Sequence, residues 1–179
     1  MVNINLDFWK DKKVIITGHT GFKGSWLSLW LTSLGSEVYG YSLEPKLKKN
    51  LFSKAGLEGI TETTYGNIND YESLKKALAF SRPDVIFHLA AQPLVRDSYL
   101  DPIETLRTNI IGTANILNIS RSLETIKSIV IVTSDKCYEN KELNKPFTED
   151  QPMGGYDPYS ASKGCAEIVT NSFRSSFYK

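Results

Sequence analysis

The chain has 179 residues, 41% hydrophobic and 23% charged, which is enough for one sizeable core and an ordinary globular balance. Its net charge is +1, from 21 Lys and Arg against 20 Asp and Glu, so nothing in the charge points to nucleic acid or an anionic membrane as a partner. Two cysteines, Cys137 and Cys165, have no metal-type spacing, no run approaches the ~18 apolar residues of a membrane span, and residues 1–10 lack the apolar core of a signal peptide, so a reducing, cytoplasmic setting is expected.

Strand-like and helix-like patterns alternate along the chain. Residues 13–17 form a short β-branched run ending at Gly18 and read as a buried strand. Residues 22–34 read as a helix stopped by Gly35, with Trp26, Leu27, Trp30, Leu31 and Leu34 at helical spacing and both tryptophans expected in the core. Residues 37–41 are a second strand. Residues 45–59 are a loop with one helical turn near 51–55, in which Lys46, Lys48 and Lys49 read as a solvated face rather than a basic patch. Residues 61–65 are a third, weaker strand. Asp70 is the expected N-cap of a helix reaching to about Phe80, broken by Arg82-Pro83.

Residues 84–88 form a fourth strand, ending in His88, which is expected to be packed and hydrogen-bonded. Asp101-Pro102 opens a long helix expected over 102–123, with Pro suited to its first turn. Residues 126–133 are a fifth strand, the most apolar of the five. Residues 140–156 are a polar loop, and residues 158–177 a final helix. Strands alternating with helices of this length predict an α/β fold, a Rossmann-like doubly wound parallel sheet of order 3-2-1-4-5. Its ligands belong at the carboxyl ends of the strands, where Gly18, the loop after His88 and the loop after Thr133 fall.

Two motifs carry chemistry. Gly18-His19-Thr20-Gly21-Phe22-Lys23-Gly24 lies between a predicted strand and a predicted helix. Its spacing is G-x-x-G-x-x-G, whose glycines permit a tight turn and close approach of a pyrophosphate to the helix N-terminus, where free N–H groups and the dipole favour an anion. An acid for a ribose 2′-hydroxyl is expected about 20 residues on. The chain offers Ser42 there, with Glu44 nearby, while Lys23 and Lys46 suit a 2′-phosphate, so the residues alone leave NAD and NADP open. Asn67 follows the third strand and reads equally as an adenine contact or as a turn asparagine.

Tyr159 and Lys163 are four residues apart at the start of the last helix and share a face. An ammonium beside a phenol favours the phenolate, which can take a proton from a sugar hydroxyl as hydride leaves the carbon. Ser134, Asp135 and Lys136 add a hydroxyl, a carboxylate and an amine directly after the fifth strand.

These pieces, together with residues 66–70, His88-Leu89-Ala90-Ala91 and Asn109-Ile110-Ile111-Gly112-Thr113, appear in one order along nearly the whole chain. In this the sequence resembles the extended short-chain dehydrogenase/reductase family. Residues 18–27, Ala91-Gln92-Pro93-Leu94-Val95-Arg96 and Thr133-Ser134-Asp135-Lys136-Cys137-Tyr138 make it similar to the branch of sugar-nucleotide 4,6-dehydratases that act on CDP-glucose. Many sugar-nucleotide dehydratases have Asp-Glu where this chain has Asp135-Lys136, and epimerases usually lack the pair.

The resemblance implies NAD as cofactor and CDP-glucose as substrate. Tyr159 would deprotonate the 4-hydroxyl while C4 gives hydride to NAD. Lys136, or a base it positions, would remove the C5 proton, Asp135 would protonate the leaving 6-hydroxyl, and hydride would return to C6. Ser134 would bond the 4-oxygen and Lys163 the nicotinamide ribose. Lys136 as base requires a neutral amine, expected from burial or from a neighbouring cation such as Lys163. Gly18, Thr20, Gly21, Phe22, Lys23, Gly24, Ser42, Asn67, Ile68, Ala90, Gln92 and Asn109 would line the cofactor site. Gln92 and Arg96 would meet the substrate, the guanidinium being suited to a diphosphate. The resemblance also implies a homodimer through 102–123 and 158–177. The family continues with further strands and a substrate domain, so the chain is expected to be one incomplete dinucleotide-binding domain over 1–179, the N-terminal portion of its enzyme. The competing expectations are an epimerase or reductase on the same scaffold, and a catalytically silent cofactor-binding fragment.

Overall fold

The computed structural model describes residues 6–47, 49–142 and 145–178. Lys48 and the start of the N-terminal segment at residues 1–5, both considered above, lie outside them. Five strands form one sheet of order β3-β2-β1-β4-β5, the order predicted. They are β1 (Lys13–Thr17), β2 (Glu37–Ser42), β3 (Glu62–Tyr65), β4 (Val85–His88) and β5 (Ser128–Ile131). β1 pairs parallel with β2 and with β4, and β2 parallel with β3. The helices are α1 (Phe22–Ser33), α2 (Leu51–Lys54), α3 (Tyr71–Ser81), α4 (Val95–Leu100), α5 (Pro102–Leu106), α6 (Gly112–Ser120) and α7 (Pro158–Phe177). Among the described residues, no helix is long and apolar enough to cross a membrane.

The chain divides into two compact units, Met1–Leu89 with Ser122–Val130, and Ala90–Arg121 with Ile131–Lys179. In the first, the β-branched run of β1 puts Val14 and Ile16 on one face, where they pack with Leu31 of α1, Val38 and Val85. α3 also packs on β1 and β2 and buries Leu74, Ala77 and Leu78. Asp70 caps it as predicted, its Oδ1 accepting from the Ser73 amide at 3.1 Å. His88 is buried, and its Nδ1 lies 2.7 Å from the Thr17 hydroxyl, which gives it the packed, hydrogen-bonded role expected.

Three expectations need correction. Trp26 and Trp30 are not core: they are 53% and 56% exposed. α1 faces the sheet with Gly24, Ser25, Ser28 and Leu31 instead, because a close helix–strand approach needs small residues and leaves the large ones outside. The long helix expected over 102–123 is three pieces, α5, a π-helical turn Arg107–Ile111 and α6, and it ends at Ser120. The wide turn accommodates the buried Asn109, whose carbonyl accepts from the Thr113 hydroxyl at 2.7 Å. β5 stops at Ile131 rather than Thr133, because the next two residues bond to α7 instead of continuing the strand: the Val132 carbonyl accepts from Lys163 Nζ, and the Thr133 hydroxyl donates to Glu167.

In the second unit α7 packs against α4, α5, the π turn, α6 and the short turn Asp135–Cys137. Asp157 caps α7 before Pro158, its Oδ1 accepting from the Ser160 amide at 2.9 Å and its Oδ2 from the Ser160 hydroxyl at 2.6 Å. This aspartate-proline start explains why the helix runs over the residues expected of it.

Candidate functional site

In the first unit β1 delivers the chain to Gly18, which adopts φ +74°, a conformation natural to glycine. The turn is closed by Gly18 N–H to the Tyr41 carbonyl at 2.9 Å and Gly21 N–H to the Gly18 carbonyl at 3.0 Å. A Cβ on Gly24 would lie 2.2 Å from the Gly18 carbonyl oxygen and 2.6 Å from His19 Cα, so no side chain fits where α1 crosses the turn. The α1 N-terminus has no side-chain cap, which leaves its first amides and dipole for an anion. Phe22 and Lys23 are exposed on that first turn.

His19 lies inside this turn and is fully buried, its ring filling the space over Gly40, where a Cβ would come within 2.2 Å. Its Nε2 is 3.1 Å from the Thr63 hydroxyl and the ring meets Phe52 edge-on. Burial lowers its pKa from 6.5 to about 4, so the ring is neutral. It braces the turn. The hydroxyls of Thr20 and Ser42 are 2.6 Å apart, and both lie within hydrogen-bond reach of the Leu43 carbonyl, so one donates to the other and the second to the carbonyl. Among the described residues no carboxylate bonds to Ser42. Asn67 holds its own turn, with Oδ1 accepting from the Asn69 amide at 2.9 Å and its carbonyl accepting from the Tyr41 phenol at 3.0 Å. Ile68 is buried behind it.

In the second unit α7 presents Tyr159 and Lys163, only 9% and 7% exposed. Lys163 Nζ lies 6.0 Å from the centre of the Tyr159 ring and donates to the Val132 carbonyl at 3.4 Å. Two residues further on, Ser134 opens the Asp135–Cys137 turn: its hydroxyl donates to Asp135 Oδ1 at 3.0 Å and accepts from the Lys136 amide at 3.1 Å. Tyr159, Lys163 and the Ser134–Lys136 turn are thus parts of one packed unit. Asp135 and Lys136 are exposed and line a cavity of about 180 Å³ with Tyr138, Phe147, Asp157 and Ser160. Desolvation works to raise the Asp157 pKa, but the Ser160 hydrogen bonds and the Lys136 charge outweigh it and hold the carboxyl below its ordinary value. The expectation that Lys136 is buried is therefore corrected. The lysine is exposed and lies in the field of an anion.

Asn109, from the π turn, spends its whole amide within the unit. Oδ1 accepts from Gln92 N–H at 2.8 Å, and Nδ2 donates to the Gln92 carbonyl at 3.1 Å and to Ser162 Oγ at 2.8 Å. The Ser162 hydroxyl in turn donates to the Tyr159 carbonyl at 2.6 Å, so Asn109 reaches the tyrosine through the helix backbone. The Gln92 side chain bonds to Leu94 and Thr105, folding its loop, while Ala90 is half-buried and Arg96 is exposed on α4. Three residues of this unit escaped the sequence reading: Asp157, Ser162 and Glu167. Asp157 was legible as an aspartate before Pro158. Glu167 was legible as the next step, four residues on, of the Tyr159-Lys163 face.

Comparison with known proteins places this geometry. A family model described as GDP-mannose 4,6 dehydratase matches residues 15–178. The chain is 51% identical over 175 residues to a CDP-glucose 4,6-dehydratase of Salmonella typhimurium, covering 98% of this chain and 49% of that protein. It is 30% identical to a GDP-mannose 4,6-dehydratase of Vibrio cholerae, covering 93% and 47%. Among solved structures, a UDP-glucose 4-epimerase of Thermotoga maritima with UDP-glucose superposes with a TM-score of 0.80 at 24% identity, covering 92% of this chain and 52% of that one, a likeness of fold. The chain spans about half the length of the curated relatives it matches. With a matching model over nearly its full length and the sheet order in place, the chain belongs to the GDP-mannose 4,6-dehydratase family.

Proposed function

We propose that these residues are the N-terminal, cofactor-binding and catalytic half of a cytoplasmic CDP-glucose 4,6-dehydratase. The reading is carried by one observation: Tyr159, Lys163 and the Ser134-Asp135-Lys136 turn are packed into a single unit through α7, with an Asp-Lys pair where sugar dehydration needs an acid and a base. The 51% identity to a relative of that name supports the choice of CDP-glucose, and the family dimer through α5, α6 and α7 is part of the same proposal.

The glycine turn fits a dinucleotide, since Gly18 and Gly24 leave bare backbone and α1 begins uncapped. Thr20, Gly21, Phe22 and Lys23 would surround the pyrophosphate. Asn67 and Ile68 would meet the adenine, and Ser42 would give the ribose one hydroxyl contact. NAD, when bound, supplies the acceptor that takes hydride from C4 and returns it at C6.

The side chains do the rest. Tyr159 takes the proton of the 4-hydroxyl, and Lys163, whose Nζ lies 6.0 Å from the centre of that ring, bonds the nicotinamide ribose. Ser134 holds the 4-oxygen. The ketone at C4 acidifies C5, and Lys136, or a base it positions, removes that proton. Asp135 gives its proton to the departing 6-hydroxyl, which leaves as water, and Lys136, its proton exchanged with solvent, returns one to C5 as C6 is reduced. By the same resemblance Ala90, Gln92 and Asn109 would meet the cofactor, and Gln92 and Arg96 the substrate.

The test is the full-length protein carrying this chain, with CDP-glucose in deuterated water. The expected product is a CDP-4-keto-6-deoxy sugar with solvent deuterium at C5, and Lys136→Ala should abolish that incorporation. An epimerised CDP-hexose, or normal C5 exchange in Lys136→Ala, would reject the assignment.

A further inference from the structure

The catalytic turn has no long secondary structure of its own. Ser134, Asp135 and Lys136 follow a four-residue edge strand and lie in a single 3-10 turn, two of them exposed. Something must fix their position, and the bonds to α7 supply it. Tyr159, Lys163 and Glu167 stand at intervals of four on one helix face. Lys163 donates to the Val132 carbonyl, and the adjacent Thr133 hydroxyl donates to Glu167 Oε1. α7 therefore grips consecutive residues of the strand exit, one by its backbone and one by its side chain, immediately before Ser134. Gly164 completes the contact, since a Cβ there would lie 3.1 Å from the Cys137 carbonyl at the far end of the turn. Desolvation raises the Cys137 thiol and the Tyr138 phenol, and the charge of Glu167 lies close enough to this turn to add to both.

We propose that Glu167 is a positioning residue for the acid–base pair, acting through the Thr133 hydroxyl to set Asp135 and Lys136 relative to Tyr159. The proposal rests on the dehydratase reading above. A carboxylate accepting from a hydroxyl is a stronger clamp than a neutral pair, and it stands one helical turn from the lysine that serves the tyrosine. Loosening it displaces the groups that act at C5 and C6 while leaving Tyr159 and Lys163 on their helix. The elimination step then slows by about ten- to a hundredfold, as expected for catalytic groups misplaced by about an ångström.

The experiment compares full-length wild type, Glu167→Ala, Glu167→Gln, Thr133→Val and the double variant Thr133→Val/Glu167→Ala. Deuterium isotope effects are measured with CDP-glucose labelled at C4 and, separately, at C5. In Glu167→Ala and Thr133→Val the C4 effect should shrink and the C5 effect grow, because elimination becomes limiting. Glu167→Gln, which keeps an acceptor for Thr133, should restore most of the rate. The double variant should be no slower than the worse single one. Unchanged isotope effects with uniform loss of rate, or full additivity in the double variant, would overturn the proposal. So would a Glu167→Gln protein as slow as Glu167→Ala. If wild type does not dehydrate CDP-glucose, the dehydratase reading fails. The clamp is then judged by amide hydrogen exchange at residues 134–138, which must rise in Glu167→Ala and Thr133→Val and fall back in Glu167→Gln; no rise would end it.

Discussion

Replacing Gly24 by alanine tests whether the glycine turn is built for close backbone approach. On an ordinary helix the change would gain about 1 kcal/mol in helix propensity. Here the added Cβ would meet the Gly18 carbonyl oxygen at 2.2 Å and His19 Cα at 2.6 Å, both backbone atoms that cannot rotate away. Ordinary contact begins near 3.4 Å, so α1 or the turn must move by about an ångström. Overpacking of this kind costs about 1–3 kcal/mol, and rigid backbone on both sides places it at the upper end. The net loss is about 2 kcal/mol, or about 1 M in the urea midpoint for a slope of ~2 kcal/mol/M. The same displacement pulls the α1 N-terminus from the turn, so NAD affinity should fall at least about tenfold with it. Gly59→Ala is the control: no atom lies within 4 Å of its Cβ and its φ is not positive, so stability should stay within about 0.5 kcal/mol. Urea unfolding followed by tryptophan fluorescence and calorimetric NAD titration read both quantities. A Gly24→Ala protein with the wild-type midpoint and affinity would refute the argument.

Other consequences are open to the same measurements. His19 has a folded pKa of about 4 against 6.5 unfolded, so its neutral burial stabilises fully above pH 6.5 and less as the pH falls towards 4. Wild type should lose up to about 1.4 kcal/mol per pH unit more than His19→Gln across that window, and parallel pH–stability curves would contradict this. Asn109→Ala strands the Gln92 amide and carbonyl and removes the bond that the Ser162 hydroxyl accepts, and should cost about 3 kcal/mol in urea unfolding. Asp157→Ala should cost about 1 kcal/mol, while Asp157→Asn, which still accepts from the Ser160 amide, should cost little. Equal losses in the two Asp157 variants would show that the cap is not what starts α7.

The strand order was legible because strand-like runs of four to six residues alternate with helices, and crossover handedness then leaves few topologies. α7 was legible to the residue because Asp157-Pro158 starts it chemically. The failures share a cause, which is that periodicity counts apolar residues and cannot say which face is buried. Trp26 and Trp30 satisfy the helical period, yet the sheet selects the glycine and serine face of α1, since only small residues permit the approach that Gly24 makes. Apolar content alone also extended β5 into Val132 and Thr133, whose partners on α7 are tertiary. The π turn around Asn109 was hidden for the same reason, its cause being bonds to Gln92 and Ser162 far along the chain. The motif residues themselves were visible, but how they are held was not. Glu167, Asp157 and Ser162 act on the motif through hydrogen bonds, and spacing gave only a faint sign of them.

The most direct test of the dehydratase assignment is the fate of one labelled hydrogen. Full-length protein is given CDP-glucose deuterated at C4, and the product is examined by NMR. The account predicts a 4-keto-6-deoxy product in which the C4 deuterium has moved to C6 within the same molecule. A product epimerised at C4 with the label still in place, or a 6-deoxy product without it, would contradict the account.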